Sequence, residues 1–179
     1  MTKVFTATDG TASSDRFITV TSPIGRIEIR GNEKAITGLT IEGTDGNNYG
    51  VLPHGGQPGN ADKLLARAAK ELDQYFAGKL RKFTVPVVLD GTEFQRDVWN
   101  IIAATPFGET TSYGEIADRI GRQGAGRAVG GAVGANPVPI IVGCHRVLAS
   151  DQRITGFSGG SGIPTKKQLL ALEGISFAN

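Results

Sequence analysis

The chain carries one cysteine, Cys144, and two histidines, His54 and His145, in 179 residues. A lone thiol closes no intramolecular disulfide. With so few histidines it cannot build a conventional zinc site either, so no metal is expected. That thiol usage suits a reducing compartment. No apolar run approaches the roughly 20 residues that span a bilayer. The opening MTKVFTATDGTASSDR lacks the apolar core of a secretory signal. These absences predict a soluble cytoplasmic protein with no membrane partner. A large charge imbalance is missing as well, since 19 basic against 17 acidic residues leave a net +2. Net charge is therefore silent about nucleic acid, but its distribution is not. Residues 119–150 hold Arg119, Arg122, Arg127 and Arg146 and no acid. On charge alone such a stretch is as readily a solvated face.

What is present reads as globular: 39% hydrophobic and 20% charged residues, with enough chain for a real core. Arg16–Ser22, Arg26–Arg30 and Ala35–Ile41 alternate apolar and polar residues and predict an antiparallel meander with one wet face. Residues 43–60 read as a loop. A helix capped by Asn60 runs to about Ala77, buries Leu65, Ala69, Leu72 and Phe76, and stops at Gly78. Phe83–Leu89 is a further strand, and its Pro86 argues for an edge. Asp90-Gly91 breaks the chain, dividing it into residues 1–90 and 91–179. The second part turns helical. Thr92 to Gln95 and Ser112 to Glu115 are capping boxes, the first opening a helix that buries Phe94, Val98, Ile101 and Ile102. The helix opened at Ser112 ends at Gly121, and another follows over 126–135. This pair is a helix-turn-helix pattern whose second member reads DNA.

That second helix is almost all small residues, from Arg127 and Ala128 through Gly130, Gly131 and Gly134. Each glycine costs about 0.8–1 kcal/mol of helix propensity relative to alanine. Either tight helix packing or close approach to a nucleic-acid groove would offset that cost, and small residues suit the narrow minor groove. After it comes a rigid apolar run, Asn136 to Val142, ending in Gly143-Cys144-His145-Arg146-Val147. A buried lone cysteine is usually inert core filling. Adjacent His145 and Arg146 could instead lower its pKa. A direct Cys144–His145 hydrogen bond needs a sharp bend or a bridging water, because neighbours on an extended chain point apart. A thiolate suits attack on an alkyl carbon, and the resulting thioether would not hydrolyse, so such a protein acts once.

The run ending Gly143-Cys144-His145-Arg146-Val147 resembles the Pro-Cys-His-Arg-Val signature of the O6-alkylguanine-DNA alkyltransferases. Pro106-Phe107-Gly108-Glu109, Ser112 to Ala117, Arg127 to Ala132, Asn136 to Ile140, Gly156 to Gly160 and Leu169 to Gly174 resemble further segments of that family. The likeness covers roughly Thr92 to Gly174. Gly143 departs from it by replacing the proline before the cysteine, which bears on rate more than identity.

The resemblance implies an α+β protein. Its N-terminal domain would be ribonuclease H-like, and its C-terminal domain a winged-helix or helix-turn-helix unit with the active cysteine. The implied reaction is stoichiometric, self-inactivating transfer of an alkyl group from O6-alkylguanine in double-stranded DNA to Cys144, with the base flipped out. O4-alkylthymine is a further candidate substrate. His145 would act as base on Cys144 through a water and Glu173 would orient it. Asn136 would hold the turn, and Tyr113 would donate a proton or hydrogen bond to the departing guanine. Cys144, Val147 and Ser158 would line the base pocket. Arg127 would fill the vacated base stack, with Ala128, Gly130 and Gly131 against the minor groove. No cofactor is implied. A monomer is expected, with cooperative assembly along DNA left open. Zinc, held in some relatives by N-terminal Cys and His ligands, finds no cysteine in residues 1–91.

Two other classes remain. A lesion sensor or regulator would bind DNA without covalent product. A Cys-His hydrolase would turn over repeatedly, but would leave the Gly-rich Arg127 helix without a task. If all four arginines met phosphates, the log–log salt slope would be about −3.6. A steeper slope would point to further basic surface such as Lys166 and Lys167.

Overall fold

The computed structural model describes residues 4–5, 15–43, 52, 57–58 and 62–178. Its six-stranded sheet contains β1 (Val4–Phe5), β2 (Arg16–Ser22), β3 (Gly25–Gly31), β4 (Ile36–Ile41), β5 (Gln57–Pro58) and β6 (Val87–Val88), in the spatial order β1-β6-β4-β3-β2-β5. The expected meander is present. β2 and β3 pair antiparallel with Val20 opposite Ile27, and β3 and β4 pair with Ile29 opposite Leu39. One face is less wet than the alternation predicts, because Glu28 is fully buried with its carboxylate on Arg30 Nε at 2.7 Å. Pairing lets the charge sit inside the sheet layer. Most of residues 43–60 lies outside the described part.

Helix α1 (Lys63–Phe76) packs on β2, β3 and β4. Its N-cap is Asp62 rather than Asn60, with the carboxylate accepting from Leu64 and Leu65 N–H. Gly78, at φ 71°, ends it as expected. The buried face is Leu65, Ala68, Leu72 and Tyr75, rotated from the expected stripe so that Tyr75, not Phe76, points inward. Glu71 is also buried there and accepts from Thr84 and Val85 N–H at 2.8 and 3.2 Å. These bonds take the donors that a ladder would have used, so only Val87–Val88 of the expected 83–89 strand forms. That strand is internal, between β1 and β4, and not an edge. Pro86 lies just outside it, with its carbonyl accepting from Ile36 N–H at 2.9 Å.

Gly91 comes next, and close approach explains it, since a Cβ there would lie 2.6 Å from the Trp99 ring. Helix α2 (Glu93–Ala104) opens on the Thr92/Gln95 capping box and buries Val98, Trp99 and Ile102. A second box, Ser112/Glu115, opens α3 (Tyr113–Arg119), and α4 (Gly126–Gly134) packs on both α2 and α3. Trp99 Nε1 donates to Ala132 O at 2.7 Å, pinning α4 to α2. A small parallel pair, β7 (Thr111–Ser112) with β8 (Val147–Leu148), ties the start of α3 to the chain after Cys144. Helix α5 (Ile163–Leu172) closes the fold and has Glu173 as its C-cap.

Candidate active site

Cys144 begins a short 3-10 turn, Cys144–Arg146, so the sharp bend that its neighbour required is present. The approach to this turn is tightly specified. Asn136 Nδ2 donates to Val142 O at 2.8 Å while its Oδ1 accepts from Val138 N–H at 3.0 Å. Between them Ile140, buried and β-branched, sits at φ 74°. Such a conformation costs of order 1–3 kcal/mol and persists only where surroundings over-determine it. Asn136 is therefore more than a helix stop.

The thiol lies 4% exposed at the floor of a cavity of about 530 Å³. Tyr113, Gly126, Arg127, Gly130 and Gly134 from the helix pair form one wall, and Thr155 to Ser158 form the other. The Thr155 and Tyr113 hydroxyls are hydrogen-bonded at 3.1 Å across the cavity. Ser158 Oγ donates to Gly134 O at 2.8 Å and bridges the walls. Arg127 is exposed at the mouth. A Cβ at Gly130 would meet the Tyr113 ring at 3.8 Å, an ordinary contact, whereas one at Gly131 or Gly134 would meet nothing within 4 Å. Helix packing thus does not account for those two glycines. Ala128 and Gly131 are exposed outside the cavity. Val147 is buried behind it, and its carbonyl accepts from Lys166 Nζ at 2.6 Å.

Behind the thiol lies a buried polar cluster. His145 Nε2 is 2.7 Å from Glu173 Oε1, and neither side chain is exposed. Its Nδ1 is buried without a hydrogen-bond partner among the described residues. With Nε2–H directed at the carboxylate, Nδ1 is the free basic nitrogen of a neutral ring. Arg146 does not reach solvent as a phosphate contact would. Its Nε donates to Glu173 Oε2 and its Nη2 to Oε1, both at 2.9 Å, and Nη1 donates to Thr105 O at 2.7 Å. Gly143 makes room for this clamp, because a Cβ there would lie 2.9 Å from the guanidinium. Gly108 N–H and the Tyr75 hydroxyl also donate to Glu173, at 3.1 and 2.7 Å.

These contacts set the charges. Burial alone would push the Glu173 carboxyl up, but the hydrogen bonds and positive charge of His145 and Arg146 override it and hold the group well below the usual range. Burial pushes His145 down, opposed by its bond to Glu173, so the ring is neutral at pH 7. The expectation of a low thiol pKa fails. Burial pushes Cys144 up, against the Asn136 hydrogen bond and the charges of Lys166 and Arg146. Lys166, expected as surface charge, is 1% exposed, and burial lowers it to about 8. The resting group is therefore a neutral thiol.

Five partners of the site escaped sequence reasoning: Arg146 as a clamp, Lys166, Thr105, Gly108 and Tyr75. The buried phase of α1 could have pointed to Tyr75. Nothing local signals the others. No group of three His, Cys, Asp or Glu side chains able to hold a metal occurs among the described residues, and His54 lies outside them. No described helix is long and apolar enough to cross a membrane.

Comparison with known proteins bears on this arrangement. Residues 16–89 match the family model for the ribonuclease-like domain of 6-O-methylguanine DNA methyltransferase, and residues 93–175 match its DNA binding domain. A methylated-DNA–protein-cysteine methyltransferase of Mycolicibacterium paratuberculosis is 43% identical over 157 residues, covering 87% of this chain and 90% of its own. One from Methanosarcina acetivorans is 40% identical over 153 residues, covering 86% and 94%. A crystal structure of Mycobacterium tuberculosis OGT in complex with DNA superposes with a TM-score of 0.77 at 42% identity, covering 88% and 92%. The expected ribonuclease-like and DNA-binding halves are both found.

Proposed function

The chain belongs to the 6-O-methylguanine DNA methyltransferase family, and from that premise we propose that it repairs DNA by moving the alkyl group of O6-alkylguanine onto its own Cys144. The observation that carries this reading is the Cys144 thiol lining the cavity of about 530 Å³, backed by a neutral imidazole with a free ring nitrogen.

His145 Nδ1 takes the thiol proton through a water, and Glu173 stabilises the imidazolium as it forms. Cys144 Sγ then bonds to the alkyl carbon while the carbon–O6 bond breaks. The electron pair leaves with guanine, and Tyr113 supplies a proton or hydrogen bond to the departing base. The thioether does not hydrolyse, so each molecule acts once.

The base must first leave the stack. Arg127, at the cavity mouth, fills its place. The outward faces of Ala128, Gly131 and Gly134 let α4 approach the minor groove closely, and Gly130 opens room beside Tyr113. Val147 contributes its backbone behind the pocket and Ser158 joins the pocket walls. We divide the chain into a 1–90 domain and a 91–179 domain. We also propose that it acts as a monomer on duplex DNA in the cytoplasm, without cofactor.

Intact-mass measurement after incubation with a duplex carrying O6-methylguanine tests the reaction. One methyl replaces one hydrogen, at Cys144, and Cys144→Ala gains nothing. Folded wild type of unchanged mass that still binds the lesion would instead be a sensor.

A further inference from the structure

We propose that Tyr75, in the N-terminal half, is a positioning residue for the transfer reaction, holding the relay acid Glu173 at the same carboxylate oxygen that receives His145. The proposal rests on the alkyl-transfer reading above and extends it to a part of the chain with no assigned role.

Tyr75 is fully buried, and its hydroxyl donates to Glu173 Oε1 at 2.7 Å across 98 residues of sequence. Its ring cannot swing away. It meets Phe76 edge-on at 5.3 Å, Phe83 at 5.4 Å and Phe107 edge-on at 6.0 Å between centroids. A tyrosine that only filled space would not need its hydroxyl there, and phenylalanine would serve.

The bond falls on the oxygen that matters. Glu173 Oε1 receives Tyr75, His145 Nε2 and Arg146 Nη2, while Oε2 receives Arg146 Nε and Gly108 N–H. A carboxylate oxygen offers about two lone-pair directions. The phenol and imidazole therefore share one oxygen, and each donor lowers the charge that Oε1 presents to the other. The other charged groups around the relay are Lys166 of α5, which depresses His145, and Arg81, which stacks on Phe107 at 5.5 Å. Neither changes when the Tyr75 hydroxyl is removed. The phenol thus weakens the carboxylate's hold on the imidazole proton, adding to the burial that already keeps the ring neutral and able to accept from the thiol.

The direction follows. Tyr75→Phe concentrates the Oε1 charge on His145 and raises the pKa of the ring. The acid limb of the single-turnover rate against pH moves up by about half a unit to one unit, and the variant and wild type converge at alkaline pH. A purely structural role would lower the rate equally at all pH values or leave it unchanged, with the limb in place. Either outcome overturns the proposal. Replacing Tyr75 with 3-fluorotyrosine makes the hydroxyl a stronger donor and moves the limb the other way. This arm keeps the ring and decides the matter should the Phe variant not fold.

An NMR titration of the His145 ring, assigned with a His54→Ala variant, reads the same shifts without any reaction. If wild type takes no methyl, the repair reading fails, and the ring titration still decides the role of Tyr75. If wild type takes methyl but the His145 pKa is the same in all three proteins, the Tyr75 inference alone is lost.

Discussion

Glu173 shows how much one residue can hold. Standing near the C-terminus before Gly174, it looks like a solvated helix end, yet it is 6% exposed and receives donors from four other residues. Removing its charge leaves Arg146 buried and uncompensated. Glu173→Gln should destabilise the protein by about 3–5 kcal/mol, as measured by urea unfolding at pH 7. The pH dependence of stability follows from the same cluster. Glu173 and His145 both have folded-state pKa values below their unfolded ones, so each binds fewer protons folded than unfolded. Their contributions are complete above the unfolded values of about 6.5 for His and 4.3 for Glu. The part of the stability that these two groups supply should therefore be flat above about pH 7 and fall as the medium is acidified. In Glu173→Gln the further loss below about pH 4 should be weaker. An unchanged acid limb of stability would show that the charge of Glu173 is not what the fold depends on.

At the scale of elements, the 3-10 turn and α4 divide the basic stretch between two tasks. Arg146 faces inward to Glu173 and Thr105, leaving Arg119, Arg122 and Arg127 exposed. With Arg127 in the stack, the salt dependence expected of four phosphate contacts becomes that of two, a log–log slope of about −1.8. Fluorescence anisotropy on a lesion duplex between 50 and 200 mM salt measures it. Arg127→Ala should leave the slope near that value, and a drop of about 0.9 would make Arg127 a phosphate contact. The same substitution should slow repair of duplex lesions far more than reaction with free O6-benzylguanine, which has no stack to leave. Equal losses on both would exclude the stack-filling role. The 3-10 turn also explains Gly143. Its φ of −72° suits proline, but a Cβ there would lie 2.9 Å from the guanidinium of Arg146, so the clamp as it stands fits a glycine.

For the whole molecule, the sheet and the helical half are not independent. Leu39 N–H donates to Pro137 O at 2.9 Å and Gly160 N–H donates to Ile41 O at 3.1 Å. One strand, β4, thereby braces both the Asn136 hinge and the loop after Ser158. One apolar cluster runs from Ile27 of the sheet through Trp99 and Val129 to Cys144 and Leu169. A shared core of this kind predicts one cooperative transition in calorimetry, with calorimetric and van't Hoff enthalpies equal. Two resolved transitions would mean that the halves fold separately.

The sequence alone determined the parts governed by local rules. The meander follows from period-two alternation, and the starts of α2 and α3 from side chains that satisfy orphan N–H groups within three residues. Gly78 and Gly121 end their helices because both need positive φ. Cys144, His145, Asn136, Tyr113, Arg127 and Glu173 are candidates because a short motif and its order carry them. Tertiary structure decided the rest. Which face of α1 is buried depends on a rotation that the Leu65, Ala69 and Leu72 pattern leaves open by one residue, and it brought Tyr75 rather than Phe76 to Glu173. Whether Arg146 and Lys166 meet phosphate or carbonyl, and whether the Cys144 thiol is raised or lowered, depends on burial. Desolvation and charge pairing are properties of assembled surroundings. Residues far apart in the chain supply those surroundings, and no local spacing encodes them.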